Sequence, residues 1–166
     1  FLAVLIFTCQ VSPSPSLEIY ALRLGQSDFS SKNVYADLKF QQKNEVKFAW
    51  LVYLIRQGNK KILVDTGFES PHLRQKWNIH SYQGLSDLLA ALGEEPASIT
   101  HVLLTHGHRD HAGNIELFKN ARFFVQRLEY KTLLKKGWGW KKIDTVGRGL
   151  FSLFDKELFI LPNLKI

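Results

Sequence analysis

His106, His108, Asp110 and His111 fall within six positions as His-x-His-x-Asp-His, directly after Thr105. Each of these side chains is a metal ligand by type and costly to bury without a partner, so packing does not account for the group. The product expected is a metal centre. His106 and His108, two apart, point the same way from an extended segment, while Asp110 and His111 lie far enough round the turn to face a second ion alongside. Two ions are therefore favoured. His101 sits five residues before the cluster, about 16 Å away at about 3.3 Å per residue, and its odd parity turns it to the other face. It reads as structural.

The elements that must hold this loop are legible around it. Ile99 to Thr105 is a run of branched apolar residues, expected as a buried β-strand that delivers the cluster to a strand end. After the cluster, Ala112-Gly113-Asn114 leads into Ile115 to Lys119, expected as the start of a helix with its positive end facing the loop. Upstream, Leu17 to Leu24 alternates as a sheet strand does. Phe48 to Ile55 is more fully apolar, Gly58-Asn59 turns the chain, and Lys61 to Asp65 returns, so residues 48 to 65 read as a hairpin. Leu85, Leu88, Leu89 and Leu92 have helical spacing and stop at Gly93, giving an outer helix. Strands, helix, strand, metal loop and helix make a layered α/β domain.

Taken together, Thr105-His106-Gly107-His108-Arg109-Asp110-His111-Ala112-Gly113 resembles the signature of the metallo-β-lactamase superfamily, and Ile62-Leu63-Val64-Asp65-Thr66-Gly67 resembles the strand and turn that precede it there. Asn120 to Tyr130, and the layout from Leu17 onward, resemble the N-acyl homoserine lactonase-like branch. The resemblance implies a metallo-β-lactamase-like αβ/βα sandwich of two mixed β-sheets with outer helices, and two zinc ions at one edge. By that carry-over His106 and His108 bind the first zinc, and Asp110 and His111 the second.

The family pattern also asks for a third histidine, a bridging aspartate and a last histidine from later strands. All six histidines here lie at or before position 111, and Asn163 to Ile166 resembles the strand leading up to the third. Asp144 and Asp155 precede that strand and do not match the bridging position. Residues 17–166 are therefore expected to be the N-terminal two-thirds of such a domain, with the chain truncated at both ends. The implied activity is a zinc-dependent hydrolase opening the lactone ring of N-acyl homoserine lactones by a metal-bound hydroxide, with Asp110 as the catalytic residue that orients it and passes a proton to the leaving alkoxide. A glyoxalase II-like thioesterase, a β-lactamase, or an inactive fragment are the alternatives, since the four ligands do not choose among them.

Composition suits a globular core, at 45% hydrophobic and 22% charged. The net charge of +7 is spread along the chain, which argues against a nucleic-acid partner; a small ester or lactone substrate is what the resemblance implies. Its one concentration, Lys135-Lys136-Gly137-Trp138-Gly139-Trp140-Lys141-Lys142, fits base stacking, a solvated loop with tucked tryptophans, or an apolar wall for an acyl chain, and the residues leave the three open. Phe1 to Phe7 is too short for a stable membrane span; with Ser12-Pro13-Ser14-Pro15-Ser16 after it, residues 1–16 read as an incomplete signal peptide and linker, and the protein as exported. Cys9 is the only cysteine, so no intrachain disulfide exists, and Phe7 and Thr8 suit a lipoprotein site poorly. Asp65 reads as a turn residue supporting the site, His72 and His80 as surface residues, and Arg109 as facing solvent or a carboxylate.

Overall fold

A computed structural model describes residues 15–31, 45–135, 143 and 146–155, and residues 159–161 and 164–165 as strands. The apolar run at Phe1, Cys9, the tryptophans at 138 and 140, and Asp144 lie outside these residues.

Strand β1 (Glu18–Phe29) pairs antiparallel with β2 (Val46–Gln57), which turns through Gly58-Asn59 into antiparallel β3 (Lys60–Val64). The hairpin expected from the Gly-Asn turn is present, because glycine takes the positive φ of 55° that the turn requires. Strand β1 runs five residues past the segment whose alternation marked it. The register shifts between Arg23 and Gly25, and beyond this bulge the inward set changes from Leu22 and Leu24 to Gly25 and Ser27, which breaks the apolar alternation without ending the strand.

From β3 the chain crosses through α1 (Pro71–Lys76) and α2 (Leu85–Ala90) to β4 (His101–Leu104), which lies parallel to β3. Ser70 caps α1 through its hydroxyl and proline opens it, while α2 buries Leu85 and Leu89 against the sheet and ends before Gly93 at φ 72°. Parallel strands β5 (Arg122–Gln126) and β6 (Phe151–Phe154) extend the sheet, with α3 (Arg127–Lys135) between them. The six strands stand in the order β1-β2-β3-β4-β5-β6, and β7 (Phe159–Leu161) and β8 (Leu164–Lys165) form a separate antiparallel pair. A mixed six-stranded sheet with helices packed against one face thus matches the layered α/β expectation.

The helix expected from Ile115 is absent. A single 3-10 turn, Ile115–Leu117, ends at Phe118, whose φ of −107° and ψ of 49° leave the helical region. Phe118 and Ala121 are fully buried, and their anchoring brings the chain straight into β5, so no helix dipole develops behind the metal loop.

The core lies on one sheet face, where Leu24, Val52, Leu54, Leu63, Val102 and Leu104 meet Phe68, Leu85 and Leu89. Opposite it, Ile55, Ile62 and Leu103 form a smaller cluster with Val64, Phe124 and Phe154. That face continues outward over Ile19, which is 61% exposed, and over exposed Leu51 and Tyr53.

An ion network ties the antiparallel end of the sheet to the crossover. Glu94, only 5% exposed, accepts from Lys61 Nζ at 2.5 Å, Arg56 Nη1 at 3.3 Å and Ser98 Oγ at 2.8 Å, and Arg56 also reaches Glu18 at 2.7 Å. Burial pushes the Glu94 carboxyl up, but the hydrogen bonds from Lys61, Ser98 and Arg56 outweigh it and hold the group below its ordinary value. A carboxylate with a depressed folded pKa stabilises fully above the unfolded value of about 4.3 and loses that contribution as pH falls through the folded value. Glu94→Ala is expected to cost about 1–3 kcal/mol at pH 7 in urea unfolding and to flatten the loss of stability between pH 5 and pH 3; an unchanged midpoint would refute the network's role.

Candidate metal centre

Because β3 and β4 are parallel neighbours, their C-terminal ends reach the same edge of the sheet, and the turns that leave them meet there. The first turn is Asp65-Thr66-Gly67 and the second begins at Thr105. Asp65 is buried and adopts φ 63°, a left-handed conformation that aspartate tolerates better than most residues, and its N–H bonds to Leu103 O at 2.8 Å. Its carboxylate accepts from the Thr105 N–H at 2.8 Å and from the Thr105 hydroxyl at 2.8 Å, and meets His111 Nδ1 at 2.7 Å.

The loop closes back on the same turn. Thr66 donates to His111 O through its N–H at 2.6 Å and its hydroxyl at 3.0 Å, Gly113 N–H donates to Gly67 O at 2.9 Å, and the buried Asn114 amide donates to Thr66 O at 3.0 Å. Gly67 sits at φ 59°. These contacts fix both ends of the ligand-bearing stretch.

Within that frame His106, His108, Asp110 and His111 converge. His106 Nε2 lies 3.0 Å from His108 Nδ1, the rings of His106 and His111 have centroids 3.9 Å apart, and His111 Nε2 lies 3.2 Å from Asp110 Oδ2. The outer nitrogen of each flanking ring is already used. His111 Nδ1 is held by Asp65, and His106 Nδ1 lies 3.1 Å from the Thr105 hydroxyl, so that Nε2 of both rings faces the cluster. Carboxylate and hydroxyl partners behind imidazole ligands set ring tautomer and orientation in this way.

Charge follows the geometry. Burial lowers the His111 pKa, but hydrogen bonds to Asp110 and Asp65 overcome this and raise it to about 9. Burial and the neighbouring His111 and His108 push His106 down. For Asp110, burial is outweighed by the hydrogen bond and charge of His111, which hold its carboxyl below the usual range. His111 is therefore held as an imidazolium between Asp65 and Asp110 at neutral pH, and a metal ion binding there would displace its proton. Among the described residues no group of three or more His, Cys, Asp or Glu side chains is already arranged to hold a metal ion; the donors here contact one another instead. Their chemistry, three imidazole nitrogens and a carboxylate oxygen with the outer nitrogens of His106 and His111 tied back, fits zinc.

The other singled-out residues lie elsewhere. His101 is on β4, with Nδ1 2.8 Å from the Thr100 hydroxyl and its ring stacked on Phe124. His72 is exposed, and His80 is exposed and 3.3 Å from Asp28. Arg109 is exposed, and Asp155 pairs with Arg127 at 2.9 Å. Thr66 and Asn114 went unrecognised in the sequence. Their hydrogen bonds span 45 and 48 positions, so no local pattern carries them.

The sheet, the crossover helices and the loop that carries the four candidate ligands define a layered α/β domain. Residues 51–162 match the metallo-beta-lactamase superfamily model, and the chain belongs to that superfamily. It is 43% identical over 56 residues to the N-acyl homoserine lactonase AttM of Agrobacterium fabrum, an alignment covering 34% of this chain and 21% of the relative. Its fold is similar to that of an N-acyl homoserine lactone hydrolase solved with N-hexanoyl-L-homoserine at its catalytic metal center, with a TM-score of 0.69 at 19% identity over 92% of this chain and 65% of that one. It is also similar to AidC, a dizinc quorum-quenching lactonase, with a TM-score of 0.62 at 18% identity over 87% of this chain and 60% of that one. The chain thus spans less than two thirds of the length of these relatives.

A Cβ at Gly113 would stand 2.6 Å from Gly67 O and overlap Arg109 O, both of them backbone. Gly113→Ala is expected to cost about 1–3 kcal/mol, read as a lowered thermal midpoint, because neither strand end can yield. A midpoint within a degree of the parent would show that the loop is looser than these contacts require.

Proposed function

We propose that the protein is a zinc-dependent hydrolase that opens the lactone ring of N-acyl homoserine lactones. The observation that carries this reading is the convergence of His106, His108, Asp110 and His111 at one strand edge, with the outer nitrogens of His106 and His111 held by Thr105 and Asp65. The likeness to lactonases supports the substrate class, and the dizinc character of one such neighbour supports the metal.

In this reading His106 and His108 hold one zinc and Asp110 and His111 the other. Zinc, when bound, supplies Lewis acidity towards a carbonyl oxygen and lowers the pKa of water to about neutrality. The chain's own groups do the positioning. Asp65 holds the His111 ring through Nδ1 and turns Nε2 towards Asp110, so that Nε2 is the atom that would ligate once its proton is displaced. Asp110 presents a carboxylate oxygen that orients the attacking water and carries a proton to the alkoxide released when the ring opens. No helix among the described residues is long and apolar enough to cross a membrane. We further propose that the protein is exported, on the apolar run Phe1 to Phe7 followed by Ser12 to Ser16.

The test is turnover of a homoserine lactone, a glutathione thioester and a β-lactam by the full-length protein, with and without a chelator. Chelator-sensitive ring opening of the lactone is expected, with the other two slower by at least tenfold. Lactone turnover that survives metal removal would overturn the proposal, and a preference for the thioester would replace the substrate while keeping the metal. His108→Ala should lose bound zinc and activity together, whereas His101→Ala, on the far side of β4, should keep both.

A further inference from the structure

Helix α3 touches the ligand loop at two points one turn apart. Gly107, the residue between His106 and His108, donates its N–H to Glu129 Oε2 at 3.1 Å. A Cβ at Gly107 would stand 2.6 Å from Cγ and Cδ2 of Leu133, which is buried. Glu129 and Leu133 are four apart and therefore share a helix face. The start of α3 is itself fixed, since Gln126 Oε1 accepts from the N–H groups of Leu128 at 2.6 Å and Glu129 at 3.2 Å, at the end of a strand whose Val125 is fully buried.

Thr105 and Asp65 hold the rings of His106 and His111 from behind, but they do not fix the backbone between His106 and His108. That backbone decides whether the two rings can serve one ion, because a rotation of the peptide at Gly107 moves both Cα–Cβ vectors relative to each other. Its N–H points at Glu129, and a charged acceptor makes the bond stronger and more directional than a neutral one. Leu133 closes the other side, and only a residue without a side chain fits beneath it.

We propose that Glu129 is a positioning residue for the metal centre. Its carboxylate holds the His106-Gly107-His108 peptide in the conformation that aims both imidazoles at one ion, while Leu133 limits the approach of the helix. The inference rests on the ligand reading given above. It extends that reading to a residue 21 positions beyond the nearest ligand-bearing peptide it acts on, by a bond to backbone that no metal-ligand pattern contains.

The experiment compares Glu129→Ala, Glu129→Gln and His108→Ala in the full-length protein, by zinc titration of the metal-free form against a chromophoric chelator and by amide exchange at Gly107. Glu129→Ala is expected to weaken zinc binding roughly 10–100-fold and to speed Gly107 exchange at least tenfold. Glu129→Gln, which keeps an oxygen acceptor, should recover most of both. Zinc affinity in Glu129→Ala equal to the parent, with His108→Ala having lost it, would overturn the positioning role while leaving the ligands in place. Unchanged zinc affinity in His108→Ala would overturn the ligand reading and the positioning role with it. Parent-like Gly107 exchange in Glu129→Ala would overturn the contact itself, and because it is read without metal it separates that failure from the other two.

Discussion

Asp65 accepts hydrogen bonds from both the backbone and the hydroxyl of Thr105 and from the ring of His111, and so joins the end of β3 to the start and the end of the ligand loop at once. A carboxylate buried at a sheet edge is costly unless fully partnered, and these partners supply what water would otherwise provide. The cost is thereby turned into geometry. If β3 and β4 were antiparallel their C-terminal ends would lie at opposite edges, and no single side chain could make these contacts. The parallel pairing of Ile62, Leu63 and Val64 with His101, Val102 and Leu103 is thus the condition on which the site stands.

Close backbone approach gives the loop its rigidity. Gly67 and Gly113 bring the two turns into direct hydrogen-bonded contact, and Gly107 lets α3 rest on the peptide between two ligands. A Cβ at Gly113 would meet backbone, and at Gly67 and Gly107 it would meet the buried side chains of Leu24 and Leu133. The site is therefore braced by strand ends and one helix face, and elements of that kind position side chains more precisely than a free loop does.

The two sheet faces differ in how they are covered. One meets α1, α2, Phe68 and the buried residues around the ligand loop, and carries the main core. The other holds a small cluster around Ile55, Ile62 and Leu103, and stays apolar and open across Ile19, Leu51 and Tyr53. The Arg56, Lys61 and Glu94 network lies at the opposite end of the strands from the metal loop, since Arg56 pairs with Lys61 near the Gly58 turn. Stabilisation by that network and positioning of the ligands thus fall at separate ends of the sheet.

Local chemistry made much of this legible in the chain alone. The ligand types and their spacing are contiguous, the hairpin announces itself through Gly58-Asn59 between apolar runs, and α2 through leucines at helical spacing before Gly93. Features that depend on contacts between distant positions were not. The expected helix after Asn114 shrank to one turn because buried Phe118 and Ala121 draw the chain into β5, and β1 outran its alternation because a bulge switched its inward residues. The partnership of Asp65 with His111 spans 46 positions, and that of Glu129 with Gly107 spans 22. A periodic pattern records which face a residue turns to its own element, so the sequence by itself determined the strands and the cluster of candidate donors at their end. Which groups stand behind those donors was decided only when parallel pairing brought the strand ends together, because hydrogen bonds at that separation leave no periodic trace in the chain.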